Sequence, residues 1–252
     1  MSMNKMQGDE YANGGYHCTT RELVIVGAGG FGAIAASAVE DINATPRSTG
    51  LSSWDLIGFA DYDATKRGTR HSGGIVHGTI EDLERNFREH ELWFFCAIGD
   101  NNARSEMVRL AEKLLWKPAT LIHPTAILAT SAEIAHGSYV GPAAVVSAHA
   151  KLGAYSILDM HASVGHDAVL CDFCAVFPGA RITGCCRVGK SAVIGSNATL
   201  LPHTNVGDRA VVGASSLAHG SIAPDTTVLG VPARVIYRRS ICVQSPARHA
   251  LD

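Results

Sequence analysis

The chain has 252 residues, of which 46% are hydrophobic, 17% charged and 6% aromatic, with a net charge of −2. A charged share below the usual ~25% and no excess of cations exclude a protein that grips nucleic acid by its phosphates, and no apolar run reaches the ~18–20 residues of a membrane span. Few rings together with 26 glycines mean that part of the fold packs with small side chains.

Residues 1–20 are polar, lack the apolar stretch of a signal peptide and read as a disordered tail. The seven cysteines are an odd number in a chain too large to need disulfide staples, so reduced thiols and a cytoplasmic location are expected. An α/β domain is expected over residues 21–120. Leu23-Val24-Ile25-Val26 reads as a strand that stops at Gly27-Ala28-Gly29-Gly30-Phe31-Gly32, and Ala33 to Ile42 reads as the following helix. A second strand is expected over Asp55 to Ala60, ending at Asp61-Tyr62-Asp63, and a third near Gly74 to Val76. Thr79 with Asp82 three residues on marks a helix start. Leu92 to Ile98 is a further strand, ending at Gly99-Asp100-Asn101-Asn102, and Arg104 to Leu115 an amphipathic helix. Alternating strands and helices predict a parallel α/β sheet with a ligand site at the carboxyl ends of its strands.

From residue 126 a six-residue repeat replaces the helical signal. Of the sixteen positions taken every sixth residue from Leu128 to Ala218, fifteen are Leu, Ile or Val. The residue two before each, from Ala126 to Ser216, is always small, and ten of the sixteen are alanine. Period six predicts a parallel β-helix: each hexad is one short strand and a turn, three hexads close a coil, and the aliphatic residue points inward. Sixteen hexads give a little over five coils, a prism about 25 Å tall, with no insertion between Ala126 and Ser221. The small residue is expected to let the chain turn each corner. The prism is expected over residues 121–238, with the repeat ending across Pro224 to Pro232, and a tail over 239–252.

Several segments, among them Gly27 to Gly32, Gly58-Phe59-Ala60-Asp61, Ala97-Ile98-Gly99-Asp100-Asn101, Ile122-His123-Pro124, Val164-Gly165-His166-Asp167, Phe177-Pro178-Gly179-Ala180 and Gly230-Val231-Pro232-Ala233, stand in the order found in one family. The chain resembles the bacterial hexapeptide-repeat sugar acyltransferases, the nucleotide-amino-sugar N-acetyltransferases and sialic acid O-acetyltransferases, over about residues 22–237. The resemblance implies a Rossmann-like nucleotide-sugar domain over residues 21–120, a left-handed β-helix, acetyl-CoA as co-substrate, a homotrimer with active sites at subunit interfaces, and a nucleotide-sugar acceptor. It implies His166 as the catalytic base with Asp167 beside it. It also implies Gly29, Gly30, Phe31, Asp61, Tyr62, Gly99, Asp100, Asn101 and Asp159 on the substrate, and Ala175, Gly184, Ser196 and Ala214 on the CoA.

Gly27-x-Gly29-x-x-Gly32 also fits a dinucleotide fingerprint, but the nearest acid at a strand end, Asp61, is 29 residues past Gly32 rather than about 20. A neutral imidazole suits proton abstraction near neutral pH, and an adjacent carboxylate fixes its tautomer. No metal is expected: Cys171-x-x-Cys174 has no matching second pair in Cys185-Cys186, and Cys174 and Cys186 fall in the small-residue phase. The histidines show no regular eighteen-residue spacing, which disfavours a carbonic-anhydrase-like centre, and a bare scaffold needs neither the glycine loop nor His166-Asp167. Where many family members carry Asn, an acid and a second His, this chain has Asp159, Gly165 and Ala175, which leaves amine and hydroxyl acceptors both open.

Overall fold

The computed structural model describes residues 20–45 and 53–238. Apart from Thr20, the two expected tails lie outside the described residues, as do Cys18 and Cys242. The remaining five cysteines are free thiols.

Among the described residues, six strands and three α-helices come first: β1 (Arg21–Val26), α1 (Gly30–Ala44), β2 (Trp54–Ala60), β3 (Arg70–His71), β4 (Gly74–Gly78), α2 (Ile80–Asn86), β5 (Trp93–Cys96), α3 (Asn101–Lys113) and β6 (Lys117–Pro118). Their sheet runs β3-β4-β2-β1-β5-β6, parallel except for the short β3–β4 hairpin. The chain moves outward from β1 to β4 and then returns to β5 on the other side of β1. This reversal opens a crevice at the carboxyl ends of the strands. α1 packs through Ala35, Ala36, Val39 and Ile42, whose spacing puts them on one helical face. α2 starts at the expected capping box, in which Thr79 and Asp82 satisfy each other's backbone N–H groups. α3 begins three residues before the expected Arg104 because the Asp100 carboxylate accepts from the N–H groups of Asn102 and Ala103, at 3.0 and 2.8 Å.

The second half is a left-handed parallel β-helix of two-residue strands that stack in three sheets. Each strand pairs with the one eighteen residues on, as Val145 does with Ser163 and Lys151 with Val169. The repeat starts one strand earlier than the periodicity suggests, with Leu121–Ile122 under Tyr139–Val140. It also continues two strands further, through Ser221–Ile222 and then Thr226–Gly230, which joins the first sheet in parallel before an antiparallel hairpin with Ala233–Arg238 closes it. Seven stacked strands make this side about 29 Å tall. The last coil is two residues short: Asn205 pairs with Ser221, only sixteen residues on.

The corners differ from the expectation. From Gly137 onward the residue in the left-handed region is the one before each small residue: Ala143, His149, Tyr155, His161, Asp167 and Phe173, continuing at the same spacing through Ser215. The small residue itself points inward with the aliphatic one, so Ala144, Ala150, Ala162 and Ala168 are fully buried beside Val146, Leu152, Val164 and Leu170. Its size is therefore set by the narrow interior, and the turn is made by a neighbour of almost any type.

The two halves are packed together along one edge and one face of the prism. Tyr155 and Phe173, corner residues of successive coils, stack at 5.2 Å beneath Phe94 of β5. Tyr139 and Ile157 join the α1 side of the N-terminal core.

Candidate active site

Two constellations stand out. The first is a cleft of about 480 Å³ at the carboxyl ends of β1, β2 and β5. It is lined by the glycine loop, by Asp61, Tyr62, Lys66 and Gly99, and by an apolar wall that includes Ile80, Ile98, Met107 and Leu110. A Cβ added at Gly29 or Gly30 would meet nothing within 4 Å, so the loop presents open backbone to the cleft at the N-terminus of α1. Exposed N–H groups there are a ready site for phosphate. Gly32 is different: a Cβ there would collide with the Gly27 carbonyl, so it is required for close helix–strand packing.

Asp61 is 3% exposed and braces this loop. One carboxylate oxygen accepts from Ala28 N–H and from the Lys66 ammonium, both at 2.8 Å, and the other from Asp63 N–H at 2.9 Å. Burial pulls its pKa upward. The bond from Lys66, the two backbone donors and the lysine charge outweigh that and hold it below the ordinary carboxylate value. His71 Nε2 donates to the Gly29 carbonyl at 3.1 Å and so pins the other side of the loop. Because the folded-state pKa is lowered, the carboxylate's stabilisation is present above its unfolded value of 3.8 and fades as pH falls through the folded one. Asp61→Asn is expected to cost about 1–3 kcal/mol in urea denaturation at pH 7 and to flatten the acid limb of a stability–pH curve; an unchanged acid limb would contradict the bracing role.

The second constellation is His166 with Asp167, on the corner between strands Ser163–Val164 and Val169–Leu170. His166 Nδ1 lies 2.8 Å from the Asp167 carboxylate, and both side chains are open to solvent, at 66% and 54% exposure. With Nδ1–H donating to the carboxylate, Nε2 carries the free lone pair that a base needs. The ring lies across the next coil at Gly184, where an added Cβ would sit 2.5 Å from Nε2. Gly184→Ala is therefore expected to fold normally and to push the imidazole out of place. A kcat loss of about 10²-fold is the scale for such a misplacement; an alanine variant with full kcat would show that the ring position is unimportant.

Gly29, Gly30, Phe31, Asp61, Tyr62 and Gly99 thus meet in the cleft, whereas three expected substrate residues do not. Asp100 caps α3. Asn101 is buried, its amide donating to the Ser191 carbonyl at 2.8 Å and its oxygen accepting from Arg104 at 2.7 Å, so this side chain joins the two halves instead of facing a ligand. Asp159 lies on another prism corner, accepts from Met160 N–H at 2.7 Å, and is held above its ordinary pKa by burial. Of the expected CoA residues, Gly184 abuts His166. Ser196 and Ala214 are turn residues of the corner that carries Asp159. Ala175 is fully buried on the sheet face beneath the N-terminal half, with no side-chain surface left for a cofactor. Lys66, the only cation among the described residues lining the cleft, was missed by the sequence reading; the hint was its position five residues after Asp61. Cys174 and Cys186 lie inside the prism, donating to the carbonyls of Gly189 and Leu201 at 3.0 and 3.2 Å.

A parallel α/β sheet with an open glycine loop, joined to a left-handed β-helix that exposes a His-Asp pair, is the architecture of the hexapeptide-repeat acyltransferases. Residues 22–111 match the PglD N-terminal domain family. The acetyltransferase domain of PglB from Neisseria gonorrhoeae, solved with acetyl coenzyme A, is 30% identical with a TM-score of 0.75, over 86% of this chain and all of that one. PerB from Caulobacter crescentus, solved with CoA and GDP-perosamine, is 26% identical with the same TM-score, over 85% of this chain and 96% of that one. The GDP-perosamine N-acetyltransferase of Escherichia coli O157:H7 is 27% identical over 111 residues, 43% of this chain. The chain spans about half the length of such curated relatives, 49% in that case. The chain belongs to the hexapeptide-repeat sugar acyltransferase family.

Proposed function

We infer that the protein transfers the acetyl group of acetyl-CoA to the amino group of a nucleotide-linked sugar. The observation that carries this is the pairing, in one chain, of a phosphate-grade cleft with an exposed His166-Asp167 dyad at 2.8 Å. The relatives solved with CoA, acetyl coenzyme A and GDP-perosamine support it. The cleft's glycine loop and Lys66 receive the diphosphate, and its apolar wall receives the base. Asp167 holds the His166 tautomer, and Nε2 removes the acceptor's proton as the nitrogen attacks the thioester carbonyl. A backbone N–H of a prism turn stabilises the oxyanion. The C–S bond then breaks, and the proton returns from the imidazolium to the departing thiolate, so no acyl-enzyme forms.

In a single chain the cleft packs along one prism edge, through Tyr155 and Phe173, while His166 stands on another. A homotrimer with the active site between subunits brings the two edges together, and this is the assembly we infer. The test is incubation with acetyl-CoA and a panel of UDP-, GDP- and dTDP-linked amino sugars, following thiol release and product mass. Acetylation of an amino sugar is expected. Silence across the panel with turnover of a hydroxyl acceptor would replace this reading with O-acetylation, which the alanine at position 175 leaves open; silence on both would overturn acyl transfer.

A further inference from the structure

The corner that carries the dyad also carries a thiol. His166, Asp167 and Cys185 are all exposed, and one ligand atom from each lies within 4.8 Å of the others. Cys185 is the residue eighteen after Asp167, stacked one coil above it in the same left-handed turn position, with φ 58° against 57°. One coil further, His203 holds that position again, exposed and with φ 63°. Its backbone N–H donates to the Gly184 carbonyl.

We propose that His166, Asp167 and Cys185 form an inhibitory binding site for a borderline-soft divalent cation of the Zn²⁺ class. Imidazole, carboxylate and thiolate are the donor types that select zinc over magnesium or calcium. Donors around tetrahedral zinc stand about 3.3–3.8 Å apart, a closure that rotation of three exposed side chains supplies without moving the coil. Binding releases the Cys185 thiol proton to solvent, and His203 or water completes the coordination.

The inhibitory consequence rests on His166 being the base; the binding itself does not. An ion on Nε2 occupies the lone pair that takes the acceptor's proton. An ion on Nδ1 displaces the bond to Asp167 and withdraws electron density from the ring. Either position disables the base, so the metal acts as a brake and has no part in the acyl transfer.

The test uses the reduced, untagged full chain titrated with Co²⁺. A near-ultraviolet thiolate-to-cobalt band is expected, saturating at one ion per chain, bleached by Zn²⁺ and lost in Cys185→Ser. In the acetyltransferase assay, Zn²⁺ but not Mg²⁺ should inhibit the wild type, a chelator should restore it, and Cys185→Ser should keep its activity while needing at least about tenfold more zinc, the loss that even an outer-shell partner of a ligand causes. No thiolate band, or a band that survives in Cys185→Ser, overturns the site. A lost band with equal zinc inhibition in both proteins overturns the brake and leaves the acyl-transfer reading untouched. Failure of that reading would instead show as absent turnover with the cobalt band intact.

Discussion

His166→Ala is expected to lower kcat by about 10²–10⁴-fold, the usual contribution of a positioned general base, equivalent to about 3–5 kcal/mol of transition-state stabilisation. KM for both substrates should change little, since the imidazole acts on the proton in flight and the cleft's binding groups are untouched. The variant should fold as the wild type does, because the side chain is two-thirds exposed and, among the described residues, hydrogen-bonds only to Asp167. Asp167→Asn keeps the size and loses the charge that orients the ring, so its kcat should fall between the two. Steady-state kinetics on the acetylated amino sugar decide this, with circular dichroism to show the fold intact. Wild-type kcat in the alanine variant would remove His166 from the chemistry and with it the direct-attack mechanism.

The prism was legible because each hexad states its own constraint. An aliphatic residue and a small one recur from Leu128 and Ala126 onward, and both prove to point into the same narrow interior. What could not be read was the turn itself. Its left-handed residue is an alanine at 143, a histidine at 149, a tyrosine at 155 and a phenylalanine at 173, because the stacked coils above and below impose the conformation and residue type carries no mark of it. The same limit applies at the cleft. The glycine loop shows in sequence as a strand end followed by a helix start, whereas Lys66 reaches Asp61 only through the short helical turn Ala64–Lys66. Asn101 stood beside Gly99 and Asp100 and so shared their expected role, but its amide finds Ser191 ninety residues away. Contacts between the two halves are fixed by how the domains dock, and no local pattern encodes them.

The largest stability effect is expected at Arg104, which sequence places as one more charged residue on an amphipathic helix. It is 1% exposed. All five of its N–H donors are used: Nε to the Tyr155 carbonyl at 3.2 Å, Nη1 to the Ile98 and Gly99 carbonyls at 2.9 and 3.3 Å, and Nη2 to Asn101 Oδ1 at 2.7 Å and the Phe173 carbonyl at 2.8 Å. Burial pulls its pKa down to about 10, so it remains charged at neutral pH. This guanidinium joins the loop after β5 to two coils of the prism, and a planar fork with donors in fixed directions suits that task better than an ammonium. Arg104→Met fills much of the volume and leaves four carbonyls without these donors, those of Tyr155 and Phe173 fully buried. Each acceptor left without a donor costs about 1–3 kcal/mol where it stays buried, so with two fully buried carbonyls among them a total of about 3–5 kcal/mol is expected, and Arg104→Lys should recover only part of it. The three tryptophans, Trp54, Trp93 and Trp116, all precede the prism. Their fluorescence therefore reports the N-terminal half alone, while far-ultraviolet circular dichroism reports both halves. In urea, Arg104→Met should move the tryptophan transition to lower concentration and separate it from a later dichroism transition of the prism. Coincident transitions at the wild-type midpoint would show that the docking does not depend on this side chain.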